Sequence, residues 1–324
     1  MNGLSKLPLW SHPTTWVVVD DEERFLASFK AYLPKNQPVV MFESPLDALK
    51  RLTQSQIEAF SIEESLGDDE DVVVHFSLDS ICRFLLREDR FSQVSVVVSD
   101  YAMPDINGIE LFEELRNPHI KRILLTGVAD EKLAVAAFND GLIDRFVLKG
   151  DPHAIEKVEA YSKLLERQRF IQLQGDVYKH VKACQALFDN EEFVKFIDTI
   201  IVRRKFVEHY FTTDPQGILF ADANGNANLL HLAEASDVRS ADDFQAGGVP
   251  REIRDLSTRA QLAVELFEPM STTSIADYDW SFNTMEVEPV PGNGEWVMGM
   301  HTSPPLDVDF DPELHSLTAF IRGL

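Results

Sequence analysis

The sequence predicts an α/β first half and an α+β second half. The first is a doubly wound five-stranded parallel sheet with an insertion; a helical linker and a smaller domain on an antiparallel sheet follow. Three observations carry this prediction. Short β-branched runs alternate with segments of helical period from Thr15 to Leu148, the pattern of parallel strands joined by crossover helices. Several of those runs end on charged or hydroxyl side chains. Beyond about residue 212 the period changes, and Asn224-Gly225 and Pro291-Gly292-Asn293-Gly294 each sit between apolar runs, as hairpin turns do.

Composition sets the outer limits. With 324 residues and 44% hydrophobic content, the chain can bury two cores. Its formal charge of −24 repels nucleic-acid phosphate at long range. The one basic run, Arg203-Arg204-Lys205, reads as the wet face of a helix, so no direct nucleic-acid partner is expected. Cys82 and Cys184 have no paired spacing and suit a reducing compartment. No apolar run reaches membrane-spanning length, and Met1–Pro13 lacks a signal-peptide core. A soluble cytoplasmic protein with no membrane partner is the expectation.

Thr15–Val19 is an apolar strand ending in Asp20-Asp21, followed by a helix with Phe25, Phe29 and Tyr32 near one face, stopped at Pro34. Val39–Phe42 is the second strand. Ser44-Pro45 opens a helix, serine as cap and proline in the first turn, with Leu46, Leu49 and Leu52 at helical spacing. Residues 54–93 then interrupt the alternation. Their acidic middle, Glu63-Glu64 and Asp68-Asp69-Glu70-Asp71, reads as a partly disordered insertion with a helix around Leu78–Leu86.

The run Val96-Val97-Val98 is a buried third strand ending at Ser99-Asp100. Pro104 and Gly108 break the chain before a helix carrying Ile109, Phe112 and Leu115. Ile123–Leu125 is the fourth strand and ends in Thr126-Gly127; a helix follows over Glu131–Phe138. Arg145–Leu148 is the fifth strand and ends in Lys149. From His153 to about Phe211 the reading is helical, divided near Gly175. Phe170, Leu173, Val177, Val181, Cys184 and Phe188 recur at intervals of three and four, and in a linker this stripe reads as a dimer seam ahead of core packing. Further on, Arg251–Phe267 reads as a helix. The predicted domains are residues 1–153, a linker over 154–211, and 212–324.

The strand ends carry chemistry. Asp20 and Asp21, Asp100, Thr126 and Lys149 meet at one edge of the sheet, where open α/β folds place their ligands. A lone aspartate there is usually a turn or cap residue, and a lone lysine usually faces solvent. The joint pattern, each residue at its own strand tip, is not explained that way. Converging carboxylates repel one another, and a hard cation such as Mg²⁺ relieves the conflict. An ammonium and a hydroxyl beside a free carboxylate oxygen suit phosphoryl transfer to that carboxylate.

These motifs, VVVDDEE, VVVSDYAMPDINGIEL, ILLTG and FVLKG, resemble the receiver domain of two-component response regulators over Met1–Leu165. The resemblance implies a flavodoxin-like sheet and phosphorylation of Asp100 by a sensor histidine kinase or phosphotransfer protein. It implies Mg²⁺ ligated by Asp21, Asp100 and the Ala102 backbone carbonyl, with Asp20 acting through water. Thr126 and Lys149 would stabilise the phosphoryl group, and Thr126 and Phe146 would be the switch pair. Ala102 and Val128 occupy the positions that influence attack of water on the phosphoryl group; neither can orient a water by hydrogen bonding, so a long-lived phosphoryl state is expected. Three features depart from the family pattern: Asp21 and Asp100 are separated by 79 residues, Gly150 stands where a proline usually follows the lysine, and Phe146 replaces a frequent tyrosine and lacks its hydroxyl contact.

The second half shows no cyclase, phosphohydrolase, nucleophile-elbow or P-loop motif. His180 reads as a helical surface histidine before a phosphotransfer one. The hairpin TDPQGILFADANGNANLLHL resembles the opening strands of PAS-type sensor domains, which implies protein contacts or dimerisation. The expected function is a signalling switch acting through dimer or partner contacts, not a turnover enzyme. A phosphorylation-independent scaffold is the alternative. An aspartate-nucleophile phosphatase is disfavoured, because Ala102 stands where such enzymes carry a second aspartate.

Overall fold

The computed structural model describes residues 6–54, 63–66, 72–127, 131–175, 177–181, 186–238, 250–257, 261–264, 279–304, 306 and 308–324. Val128, Cys184 and the acidic run Asp68–Asp71 lie outside the described residues. After a short β1 (Trp10–Ser11) come β2 (Thr15–Val19), α1 (Glu23–Tyr32), β3 (Val39–Phe42) and α2 (Pro45–Gln54). The insertion holds β4 (Glu63–Leu66), β5 (Val72–His75) and α3 (Leu78–Leu85). The alternation resumes with β6 (Val94–Asp100), α4 (Gly108–Glu114), β7 (Lys121–Thr126), α5 (Glu131–Asn139), β8 (Arg145–Leu148) and the long α6 (Ala154–Leu173).

Strands β3-β2-β6-β7-β8 form a parallel sheet, with Val17 against Val40 on one side and Val97 on the other. Every residue of β2 and β6 is buried, because helices cover both faces. The two-residue period divides them between two cores. Val17, Val19 and Val97 pack with Leu52, Phe112 and Ala134 from α2, α4 and α5. Trp16, Val18, Val96 and Val98 pack with Phe29 of α1 and Val158 and Leu165 of α6.

The second half contains α7 (Glu191–Arg204), β9 (Phe206–Thr213), β10 (Gln216–Asp222), β11 (Ala227–Glu234), α8 (Arg251–Ser257), β12 (Gln261–Val264), α9 (Trp280–Asn283), β13 (Thr284–Val290), β14 (Asn293–Thr302), α10 (Pro312–His315) and α11 (Leu317–Arg322). Its antiparallel sheet has the order β1-β9-β10-β11-β14-β13-β12. Both hairpins fall where the turn signals place them. The second hairpin returns so that β14 lies against β11. The PAS-type resemblance rests on the first hairpin alone, which here is the middle of a seven-stranded sheet.

Several boundaries depart from the sequence reading. Trp10 and Ser11 pair with Tyr210 and His209, so the first residues serve the second sheet and not the parallel one. The insertion does likewise: Val74, Phe76, Ile81, Phe84 and Leu85 pack with Tyr210, Phe211 and Leu219. Its acidic flank includes a paired strand, Glu63–Leu66 against Val72–His75, where disorder is expected from charge alone. The linker helix ends at Arg204. Lys205 takes a left-handed conformation there, and the aromatic and β-branched run Phe206–Thr213 continues as strand, not helix. Helix α8 stops at Ser257, and Gln261–Val264 is a strand, so the reading of Arg251–Phe267 as one helix is corrected. Gly175 does end α6, and His180 lies half-buried on a 3₁₀ turn (Val177–His180) instead of on a helix face. The stripe read as a dimer seam is core: Phe170, Val181 and Phe188 are buried within this chain by Leu7, Phe193 and Phe211. The sequence pattern is the same for either use, since both need an apolar helical face.

Buried polar contacts tie the insertion and the end of α6 to the second sheet and its first strand. Arg90 and Glu208, neither with more than 1% side-chain exposure, form a two-bond ion pair at 2.9 Å each. Arg90 also donates to the carbonyls of Leu85, Arg87 and His315, and the Tyr210 hydroxyl donates to Glu208. Gln174, just past α6, accepts from the Leu9 amide and donates to the Trp10 carbonyl, both at 2.7 Å. No helix among the described residues is long and apolar enough to cross a membrane.

Candidate functional site

The site forms where β2, β6, β7 and β8 end together. Asp20 follows β2 and is fully buried, and Asp100 closes β6 at 5% exposure; Asp21, the next residue after Asp20, is exposed. Each of the three offers a carboxylate oxygen, and these oxygens lie within 4.8 Å of one another. Lys149, one residue past β8, places Nζ 2.8 Å from Asp20 Oδ2 and 2.9 Å from Asp100 Oδ2. Its backbone amide donates to the Thr126 carbonyl, which ties the ends of β7 and β8.

The loop after β6 aims Asp100. The Tyr101 amide donates to Asp100 Oδ1 at 2.9 Å, leaving Oδ2 to Lys149. Asp20 Oδ1 accepts from the Glu22 amide. The loop folds back through Gly108, whose amide donates to the Tyr101 carbonyl. A Cβ at Gly108 would stand 2.2 Å from the Asp100 carbonyl oxygen, so only glycine permits this approach. Asn107 caps the helix that begins there, in a reciprocal box with Glu110.

The electrostatics are those of crowded acids around one ammonium. Burial raises the pKa of Asp100 and of Asp20, and hydrogen bonding to Lys149 opposes both shifts. Burial works to lower Lys149, but its bonds to Asp20 and Asp100 outweigh that and leave its pKa raised. One lysine does not balance three carboxylates. The oxygen-only donor set fits a hard divalent cation of Mg²⁺ type, which takes few carboxylates and keeps waters.

The structure therefore brings Asp20, Asp21, Asp100 and Lys149 together. Thr126 is buried at the end of β7, and its hydroxyl donates to the Gly127 carbonyl. Phe146 is half-buried in β8 and packs on the core beneath α4 and α5. Ala102 is exposed on the loop two residues past Asp100. Two neighbours escaped sequence reasoning. Glu22 reaches 3.8 Å from Lys149 Nζ, and the Phe25 ring centroid lies 5.2 Å from it. Phe25 has the helical spacing of a core residue, and nothing in that spacing points to a lysine far along the chain.

This sheet, with acids at the ends of β2 and β6, a hydroxyl at the end of β7 and a lysine after β8, has the arrangement of a response regulator receiver domain. Residues 59–158 match the receiver domain family, and the fold adds β2 with its aspartate pair ahead of that span. Over its whole length the chain is similar to the solved Legionella pneumophila response regulator LqsR, at 25% identity and a TM-score of 0.75, covering 99% of this chain and 97% of that one. The hydrogenase transcriptional regulatory protein HoxA of Cupriavidus necator is 30% identical over 123 residues, 37% of this chain and 23% of that protein. The C4-dicarboxylate transport transcriptional regulatory protein DctD of Rhizobium meliloti is 27% identical over 143 residues, 42% of this chain and 30% of that protein. The chain thus covers less than a third of the length of either curated relative.

Proposed function

We propose that Asp100 accepts a phosphoryl group from a sensor histidine kinase or phosphotransfer protein, and that this switches contacts made by the rest of the chain. The observation that carries the reading is the Lys149 clasp on Asp20 and Asp100. It sets a positive charge beside the oxygen that would attack phosphorus, where the new P–O bond forms as the bond to the donor breaks. Asp20, Asp21, Asp100 and the Ala102 carbonyl would hold Mg²⁺, which when bound neutralises charge on the phosphoryl oxygens.

Phosphorylation adds about −1.5 to −2 charges at a buried edge. Thr126 and Lys149 would meet that charge, and Phe146 would follow Thr126 into a second packing, so the modification selects one of two states. The consequence is a changed protein contact, in a homodimer or with a partner. A surface of charge −24 favours protein over nucleic acid as that partner, and a cytoplasmic location fits the need for a kinase donor.

Neither Ala102 nor Val128 has a side chain that can orient an attacking water, so the acyl phosphate is long-lived. The test is incubation with labelled acetyl phosphate and Mg²⁺. Label should appear on wild type, be absent from Asp100→Asn, and persist for many minutes after the donor is removed. Equal labelling of Asp100→Asn refutes the acceptor, and decay within seconds refutes the persistence.

A further inference from the structure

We infer that Phe25 is a positioning residue for the reaction at Asp100: its ring holds the Lys149 ammonium at close range to the Asp20–Asp100 pair against the pull of Glu22. This rests on the receiver reading above and adds a residue to it. The 5.2 Å between Lys149 Nζ and the ring centroid lies inside the roughly 6 Å over which an ammonium is drawn to an aromatic face.

The ring is itself fixed. It stacks on Phe29 with centroids 6.2 Å apart and planes inclined at 28°, and Phe29 has no exposed surface. The first turns of α1 thus present two attractions to one lysine, and they pull it differently. Phe25 supports the ammonium where it bridges the two buried aspartates. Glu22, with its side chain 69% exposed, already makes a longer ion pair to the ammonium at 3.8 Å, and a released lysine would shorten that contact at the expense of the aspartates. Phe25 and Lys149 also share the wall of a surface cleft of about 420 Å³ with Glu22, Arg24, Ser28 and Tyr32. Truncating the ring would widen that cleft beside the lysine stem and admit water.

A lysine displaced by an ångström loses much of its effect on charge developing at Asp100, because the interaction depends on a fixed, partly desolvated geometry. Leucine at position 25 keeps an apolar side chain but removes the π face, whereas tyrosine keeps both.

The experiment titrates Mg²⁺ and beryllofluoride into full-length wild type, Phe25→Leu and Phe25→Tyr, with thermal unfolding of each. Phe25→Leu should bind about three- to tenfold more weakly, the range expected for loss of one partly exposed cation–π contact. Phe25→Tyr should stay within about twofold of wild type, and all three proteins should unfold in one cooperative transition. Adding Glu22→Gln to Phe25→Leu should recover at least half of the lost affinity, since the competing carboxylate is gone. A nuclear Overhauser contact between the Phe25 ring and the Lys149 ε-methylene should be present before any ligand is added. The proposal is overturned if Phe25→Leu binds like wild type, if Phe25→Tyr falls as far as Phe25→Leu, if Glu22→Gln recovers nothing, or if the Overhauser contact is missing. Wild-type protein that binds no beryllofluoride refutes the receiver reading itself, a result distinct from intact binding that ignores the ring.

Discussion

Lys149 bridges two buried acids, and both acids have raised pKa values because burial outweighs its help. A carboxyl group whose folded pKa exceeds its unfolded one contributes stability only at acidic pH, and that contribution is lost as pH rises through the folded value. At neutral pH the ionised pair therefore costs stability, and Lys149 limits the cost. Lys149→Met should lower stability by about 1–3 kcal/mol at pH 7, the penalty for leaving buried charges unpaired. Added Mg²⁺ should return part of it. Urea unfolding with and without the ion checks this; no loss of stability, or none returned, contradicts it. Asp20, Asp21, Asp100, Thr126 and Lys149 were legible in the sequence because each ends a strand whose own pattern is plain. Glu22 and Phe25 were not, because their link to Lys149 exists only after β2 and β8 are set in one sheet.

Among the elements, the loop from Asp100 to α4 explains how the Asp100 carboxylate keeps its aim. Gly108 approaches the Asp100 carbonyl so closely that an added methyl group must displace one of them, while Asn107 and Glu110 fix the start of the helix. Gly108→Ala should weaken Mg²⁺–beryllofluoride binding at least tenfold and lower the unfolding midpoint, whereas alanine substitution at exposed Glu113 should do neither. Equal behaviour of the two variants contradicts the role given to this approach. The five parallel strands were legible from β-branched runs and breakers. Phe206–Thr213 was not: its apolar residues continue the preceding helical stripe, and the pairing that makes it a strand comes from distant Trp10 on one side and from β10, across the Asp214-Pro215 turn, on the other. The same limit applied to Gln261–Val264, a strand only by virtue of β13.

Taken as one body, the chain packs three stretches into the core of the second sheet: residues 7–10, the insertion from Val74 to Leu85, and described residues beyond α6. The chain crosses between the two sheets repeatedly, and a buried Arg90–Glu208 pair stands at the junction. Breaking such a pair typically costs about 3–5 kcal/mol, so the insertion is held to the second sheet by more than its apolar contacts. None of this was legible, because Arg90 and Glu208 are distant in sequence and an insertion's pattern does not say which core it joins. The junction also predicts sensitivity to acid. Burial lowers His12 and His209 from 6.5 to about 4; Glu208 near His12, and the Pro8 carbonyl accepting from His209, only partly oppose it. Both rings are neutral in the folded chain while the unfolded chain takes up protons below 6.5. Stability should therefore fall as pH drops from 6.5 to 4, by on the order of 3 kcal/mol per ring, and level off below. Urea unfolding across that range checks it, and a flat profile contradicts it.

Asp100, held by Lys149 and flanked by Asp20 and Asp21, is the residue at which we propose phosphorus arrives. Calorimetric titration of Mg²⁺ and beryllofluoride into full-length protein tests it most directly. Wild type should bind one equivalent only when both are present, and Asp100→Asn should bind none. Binding by Asp100→Asn equal to wild type, or no binding by wild type, would contradict the account.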